Sequence, residues 1–357
     1  MTIMKITSFE YSDYNWVLDK VYFSDQSLIV GRNAVGKSKT LASLILFARF
    51  LRGEVNNATP NHWCKAEFLT EGNVILYYTY SFRDGAIEHE TLIEGDRIII
   101  KRDKEHAVIG ETTVNPPANK LCIQIQRDTT KNPEFEAIMQ WADQLRGFSF
   151  SDLSSRKSYE IPSMFNENID FSDMYEQIDK VAEKKDFVLN KMREMDYQIE
   201  SIEPVTISDK FNIVLLHENG VNTPLFSATL SNGMLRVFYI FSYIAFISLE
   251  KGAKTLLIDD LGEGLDFSRS KKLSKVLFDY CSEHKIQLLV TSNDNFLMNA
   301  VSLEHWVILQ RNQENTSAVS EGTHPELFKK FKRMGLNNFD LLSTDFIFKY
   351  LKEEQQA

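Results

Sequence analysis

One segment, GRNAVGKS from Gly31 to Ser38, constrains what this chain can fold into more than any other. It follows a compact apolar run, Ser27 to Val30, and leads into residues 37–51, where Leu41, Leu44, Ile45, Phe47, Ala48 and Leu51 recur at helical spacing. A strand, a glycine-rich loop and a helix therefore follow one another. That order builds an anion cradle, because glycines let backbone amides wrap phosphate oxygens and the helix N-terminus adds its dipole. Gly31 and Gly36 supply the turn, Lys37 supplies positive charge, and the Ser38 hydroxyl is a ligand for magnesium. Asn33 and Lys39 complete the expected nucleotide-binding set.

Around this loop the chain alternates strand and helix signals, the pattern of an α/β protein. Residues before Ser27 alternate apolar and polar in short bursts, as antiparallel strands do. Residues 73–102 read as a β-meander with turns at Arg83-Asp84-Gly85 and Glu94-Gly95-Asp96. KLCIQIQ, Lys120 to Gln126, reads as a further strand, and EFEAIMQWADQLRG after Pro133 as a helix. Met174, Ile178, Val181, Val188, Met192 and Met195 share one face among charges, which predicts a single amphipathic helix far shorter than a coiled-coil arm. A hairpin around Glu218-Asn219-Gly220 precedes LSNGMLRVFYIFSYIAFISLE, a polar entry into an almost wholly apolar helix that must be buried. Its uncharged run Val237 to Leu249 is short of the roughly 20 residues a bilayer span needs. Strands at Thr255 to Ile258 and Ile286 to Thr291 bracket a helix carrying Leu273, Val276, Leu277 and Tyr280 on one face. Trp306 to Leu309 adds a third strand to this parallel half. The expected organisation is an N-terminal lobe (1–150), a helical insertion (151–205), a C-terminal lobe (206–315) and a helical tail (316–357).

TLLIDDLGEGLD carries Asp259 to the C-terminal end of an apolar strand, where a carboxylate can hold the water shell of magnesium. In sequence order the P-loop, LSNGMLR, LLIDDLGEGLD and LLVTSND resemble the ATPase fold shared by ABC transporters, SMC proteins, RecF and the OLD-like nucleases. The resemblance covers residues 1 to about 310. It implies a P-loop NTPase with ABC-ATPase architecture: a mixed β-lobe, a parallel sheet flanked by helices, and a short helical insertion. The roughly 200 residues between P-loop and signature resemble the SMC and RecF branch and disfavour a transporter subunit. The compact size and the LSxGxxR signature are similar to the ATPases of bacterial anti-phage systems such as PARIS, Septu and the OLD group.

The same resemblance implies residue roles. Lys37 and Ser38 of one protomer hold ATP and Mg2+, with Asp259 as the second metal-site residue, while Ser231 and Gly233 of a sister protomer touch the γ-phosphate. A homodimer then closes through its ATP sites. Independently, a serine and a glycine opening a helix present free amides to an anion. Leu265-Asp266 stands for the D-loop. Where the family carries a catalytic glutamate this chain has Asp260, one methylene shorter, so hydrolysis is expected to be slow. Glu263 is a second acid that could reach back, although a surface-turn role is favoured for it. The switch histidine aligns with Asn293, or less well with Ser292, and asparagine hydrogen-bonds a phosphate without becoming charged. Gln126 is the Q-loop candidate, with Gln124 one pleat away. Tyr11, Tyr14 and Trp16 are the aromatics an adenine would stack on, against which sheet packing is the favoured reading.

Composition narrows the partners. A net charge of −10 repels phosphate backbones, so contact with nucleic acid needs a local patch, and Lys329, Lys330, Lys332 and Arg333 around Phe331 are the one considered. A solvated helix face is the simpler reading of that run. Cys64, Cys122 and Cys281 lack metal spacing and read as buried small hydrophobes in a reducing cytoplasm. No leader, membrane span, nuclease signature or toxin signature is read. The expectation is a cytoplasmic, ATP-dependent dimerising switch that controls a separate effector, a nuclease or toxin, in anti-phage defence. A RecF- or SMC-like ATPase acting on DNA is the alternative, and a transporter subunit stands behind both.

Overall fold

The computed structural model describes residues 4–54, 61–149, 160–161, 169–208, 211–226, 229–249 and 255–356. Three strands open the chain, β1 (Met4–Asp13), β2 (Trp16–Tyr22) and β3 (Gln26–Val30), and β3 runs through the glycine loop into α1 (Lys37–Leu51). An antiparallel meander follows: β4 (His62–Thr70), β5 (Ile75–Arg83), β6 (Ala86–Glu94), β7 (Arg97–Arg102), β8 (Ala107–Ile109) and β9 (Thr112–Val114). Next come α2 (Cys122–Ile125), α3 (Pro133–Gln144) and β10 (Leu145–Ser149). The insertion holds β11 (Glu160–Ile161), β12 (Ile169–Asp170), α4 (Phe171–Asp179) and α5 (Ala182–Glu194). A small separate sheet is made by β13 (Ile199–Ser208), β14 (Phe211–Glu218) and β15 (Leu225–Phe226). The C-terminal half runs α6 (Asn232–Leu249), β16 (Thr255–Asp259), α7 (Phe267–Glu283), β17 (Gln287–Thr291), α8 (Asn295–Ala300), β18 (Trp306–Asn312) and β19 (Asn315–Ser320). It closes with α9 (Pro325–Lys332), α10 (Asp340–Ser343) and α11 (Phe346–Gln356).

A single 14-stranded sheet joins the two lobes in the order β10-β16-β17-β3-β18-β19-β2-β1-β4-β5-β6-β7-β8-β9. β10, β16, β17, β3 and β18 are mutually parallel, whereas β1 and β2 and the meander pair antiparallel. The parallel strands are apolar on both faces, as helix-covered strands must be. Leu28, Val30, Leu256, Ile258, Leu288 and Val290 share one core with α6 and α7, while Ile29, Leu257 and Leu289 share the other with α1 and α3. The two-residue alternation therefore sets α1 and α6 on opposite faces of the sheet. Because β3, β16 and β17 point the same way, the loops that follow them open at one edge.

α6 is buried as its composition demands, with every residue from Met234 to Ala245 in the interior. It is long and apolar enough to cross a membrane by length and composition, yet 72% of it is buried inside the fold. Other expectations need correction. KLCIQIQ is a single helical turn rather than a strand, because the buried Glu90 carboxylate accepts the amides of Cys122 at 2.7 Å and Ile123 at 3.3 Å. An anion at a helix start favours that turn, and Arg102 stands 3.7 Å from the same carboxylate. The amphipathic helix between Met174 and Met195 is two helices, with Val181 extended between them at φ −118°. The break lets α4 and α5 each lay an apolar face on α6. The helix after Pro133 stops at Gln144, since Leu145 to Ser149 leave it to pair with β16. The beginning of the expected insertion, residues 151–159 and 162–168, lies outside the described residues.

Candidate functional site

The glycine loop is built on an indole. Gly36 has φ +107°, and a Cβ there would lie 3.0 Å from Cζ2 of Trp16. Trp16 is buried, and its ring N–H donates to Thr316 Oγ1 at 2.8 Å; that hydroxyl in turn donates to the Val35 carbonyl at 3.0 Å. At the loop's other end Gly31 has φ +153°, and a Cβ would come within 2.7 Å of the Leu309 carbonyl oxygen. Sequence and sheet thus shape the cradle together: β2, β18 and β19 press on it from below. The loop apex, Arg32 to Ala34, including Asn33, is exposed.

Lys37 is buried and folds back over the loop, its ammonium donating to the carbonyls of Gly31 at 3.0 Å and Arg32 at 3.2 Å. Burial pushes this ammonium below its ordinary pKa, and the carboxylates of Asp260 and Asp259 oppose that shift. The ammonium therefore lies within the field of both acids at the end of β16. Ser38 is exposed at the first turn of α1. Lys39 turns the other way, pairing with Asp13 at 2.9 Å and lying 4.8 Å over the Trp16 ring.

At the end of β16, Asp259 is buried and accepts a short hydrogen bond from the Thr291 hydroxyl. The same hydroxyl accepts the backbone amide of Asp260 at 2.9 Å. Asp260 has φ +54°, a left-handed conformation that aspartate adopts more readily than most residues. Its Oδ1 lies 3.4 Å from Asn293 Nδ2. Asn293 is exposed in the same cleft, whereas Ser292 is turned inward and donates to the Leu261 carbonyl at 2.7 Å. Asp260, Glu263, Gly264, Asn293 and Asp294 line a cavity of about 240 Å³. Magnesium fits this donor set only in company: the Ser38 hydroxyl and the Asp259 carboxylate are the two donors at hand, and among the described residues no three His, Cys, Asp or Glu cluster to hold a cation. Such a pair suits an ion that keeps most of its ligands from phosphate and water.

Ser231 is exposed and caps α6, its carbonyl accepting the Leu235 amide at 2.9 Å and its Oγ accepting the Met234 amide at 3.3 Å. Gly233 packs against the loop between β16 and α7, where a Cβ would meet Leu265 Cδ2 at 3.2 Å and the Gly264 carbonyl oxygen at 3.3 Å. The buried Arg236 donates to the Glu263 carbonyl and ties α6 to that same loop. Asp266 then caps α7 by accepting the Arg269 amide at 3.0 Å. This capped helix end faces solvent, on the opposite side of the sheet from α1.

Several sequence candidates stand elsewhere. Gln126 is exposed at the end of α2, and Gln124, two residues back in a helical turn instead of one pleat away, donates to the carbonyls of Phe50 and Leu51 at the end of α1. Tyr11 and Trp16 are core residues beneath the loop, while Tyr14 is 89% exposed at the β1–β2 turn. In the basic run Phe331 is buried, and Lys329, Lys330 and Lys332 each meet a glutamate. Thr291 escaped the sequence reading entirely. Its partners lie 31 and 32 residues away, and only its place at the end of an apolar strand hinted at it.

Residues 126–299 match a family model described as "AAA domain, putative AbiEii toxin, Type IV TA system". No curated protein matches the chain. Among solved structures, an Smc head bound to the C-terminal winged-helix domain of ScpA superposes with a TM-score of 0.54 at 12% identity, covering 88% of this chain and 97% of the other. An Smc head with an extended coiled coil, bound to the C-terminal domain of ScpA derived from Pyrococcus furiosus, gives 0.52 at 9% identity, covering 92% and 100%. These likenesses establish the fold, and the expected P-loop NTPase architecture is the one observed.

Proposed function

We propose that this chain, a P-loop NTPase with the fold of ABC and SMC heads, binds ATP with Mg2+ and dimerises around it as a slow switch for a separate effector. The observation that carries the reading is the exposed, serine-capped N-terminus of α6, set on the opposite face of the sheet from the Lys37 loop. Each chain presents half of an anion site at two separate places. A second copy turned about a two-fold axis brings the missing half to each loop. Contacts from Ser231 and Gly233 to the γ-phosphate would then favour the closed state, and a ligand shifts an equilibrium only through such a preference.

Lys37 and Ser38 hold the phosphates and metal in this reading, Asp259 orients the metal's water, and Asp260 acts on the attacking water. The short reach of Asp260 and the neutral Asn293 both favour binding over turnover. The matched family description names a toxin and a toxin–antitoxin system, which supports a defence role in which the harmful chemistry is switched by this chain. A DNA-acting role is opposed by the net charge of −10 and by the glutamates that meet the three tail lysines. Light scattering of the purified protein tests the proposal: ATP and Mg2+ should double the mass of the wild type and leave Lys37→Ala monomeric. An unchanged mass for both proteins overturns it.

A further inference from the structure

We infer that Thr291 is the positioning residue that fixes both carboxylates of the ATP site, Asp259 through its side chain and Asp260 through its backbone. A threonine hydroxyl has one proton and two lone pairs. Here the proton goes to Asp259 Oδ1 and a lone pair takes the Asp260 amide at 2.9 Å. The geometry follows from the sheet, because β16 and β17 are adjacent and parallel, with Ile258 beside Val290, so their C-terminal ends meet. Thr291 is fully buried, which shields its hydroxyl from bulk solvent.

Two consequences are chemical. Asp259 must accept, so its Oδ1 is committed to Thr291 and Oδ2 is the oxygen left for other partners. Asp260, meanwhile, is held at φ +54° by a bond to its own amide, and this conformation sets where its carboxylate points. The Leu261 amide on the Thr291 carbonyl at 2.8 Å, and the Ser292 hydroxyl on the Leu261 carbonyl at 2.7 Å, fasten the next residues to the same strand end. Losing a partner that orients a metal-facing group this way typically costs about 10- to 100-fold in metal affinity or activity.

This inference rests on the nucleotide reading of the site and is tested in the full-length protein with Thr291→Val and Thr291→Ser. Valine keeps the shape and loses both hydrogen bonds; serine keeps both bonds and loses the methyl. The Mg2+ concentration giving half-maximal ATP turnover should rise about tenfold or more in Thr291→Val and stay near wild type in Thr291→Ser. In the nucleotide-free protein, hydrogen exchange at the Asp260 amide should accelerate in the valine variant alone. Equal Mg2+ requirement and equal exchange in Thr291→Val and an active wild type overturn the inference. Equal impairment of both variants also overturns it, since the methyl would then be what matters. A wild type that neither binds nor turns over ATP sinks the nucleotide reading itself, and the role of Thr291 falls with it.

Discussion

Replacing Ser231 by alanine separates the cap it makes within the chain from the phosphate contact proposed for it across the dimer. Within the chain the side chain caps α6 through one long contact, Oγ to the Met234 amide at 3.3 Å, on an exposed residue. Loss of an N-cap costs about 0.5–2 kcal/mol, and a long exposed cap belongs near the lower figure. With the body of α6 buried, that cost leaves the monomer folded. Between the chains of the proposed dimer the loss should be larger. A hydrogen bond to a charged phosphate contributes about 1.5–3 kcal/mol, and a two-fold dimer loses it twice, roughly 3–6 kcal/mol in all. At about 1.4 kcal/mol per decade the dimer should weaken by two to four powers of ten. Sedimentation equilibrium with saturating ATP and Mg2+ measures the dissociation constant, and thermal melting of the free protein checks the cap. A Ser231→Ala dimer as tight as wild type, from a protein that melts normally, would refute the trans arrangement.

Two further substitutions probe the loop and the chemistry. Gly36→Ala forces an alanine to φ +107° and sets its Cβ 3.0 Å from a clamped indole; strain of about 1–3 kcal/mol and a similar overpacking cost should lower the unfolding midpoint in urea and weaken ATP binding together. A stability unchanged from wild type would show that the loop yields. Asp260→Glu should raise kcat for ATP, because the longer side chain reaches further, while costing about 1 kcal/mol or more for placing a residue less tolerant than aspartate at φ +54°. Steady-state turnover that does not rise removes the short carboxylate as the limit on rate.

The strand, loop and helix around Lys37 were legible because every part lies within some thirty contiguous residues, and glycine spacing reports directly on backbone shape. The buried faces of β16, β17 and α6 were legible for a similar reason, since apolar runs declare their own burial. What escaped was decided by distant partners. Lys120 to Gln126 alternates like a strand, yet a carboxylate thirty-odd residues earlier captures its amides and winds it into a turn. Leu145 to Gly147 reads as the tail of a helix until β16, more than a hundred residues later, offers a strand edge. β4 and β19 went unread because each is defined by its neighbours in the sheet more than by its own pattern. Thr291 belongs to the same class: a hydroxyl has no meaning in a sequence until its partners are placed.

Trp16 also makes the phosphate loop visible to light. It is one of four tryptophans and lies against the loop, with Gly36 at its edge and the Lys39 ammonium over its face. A triphosphate settling above would draw that ammonium away from the ring and change the field the excited indole feels. If the proposed site fills, the protein would carry its own optical gauge of occupancy, placed where dye labelling would disturb the cradle it is meant to report on.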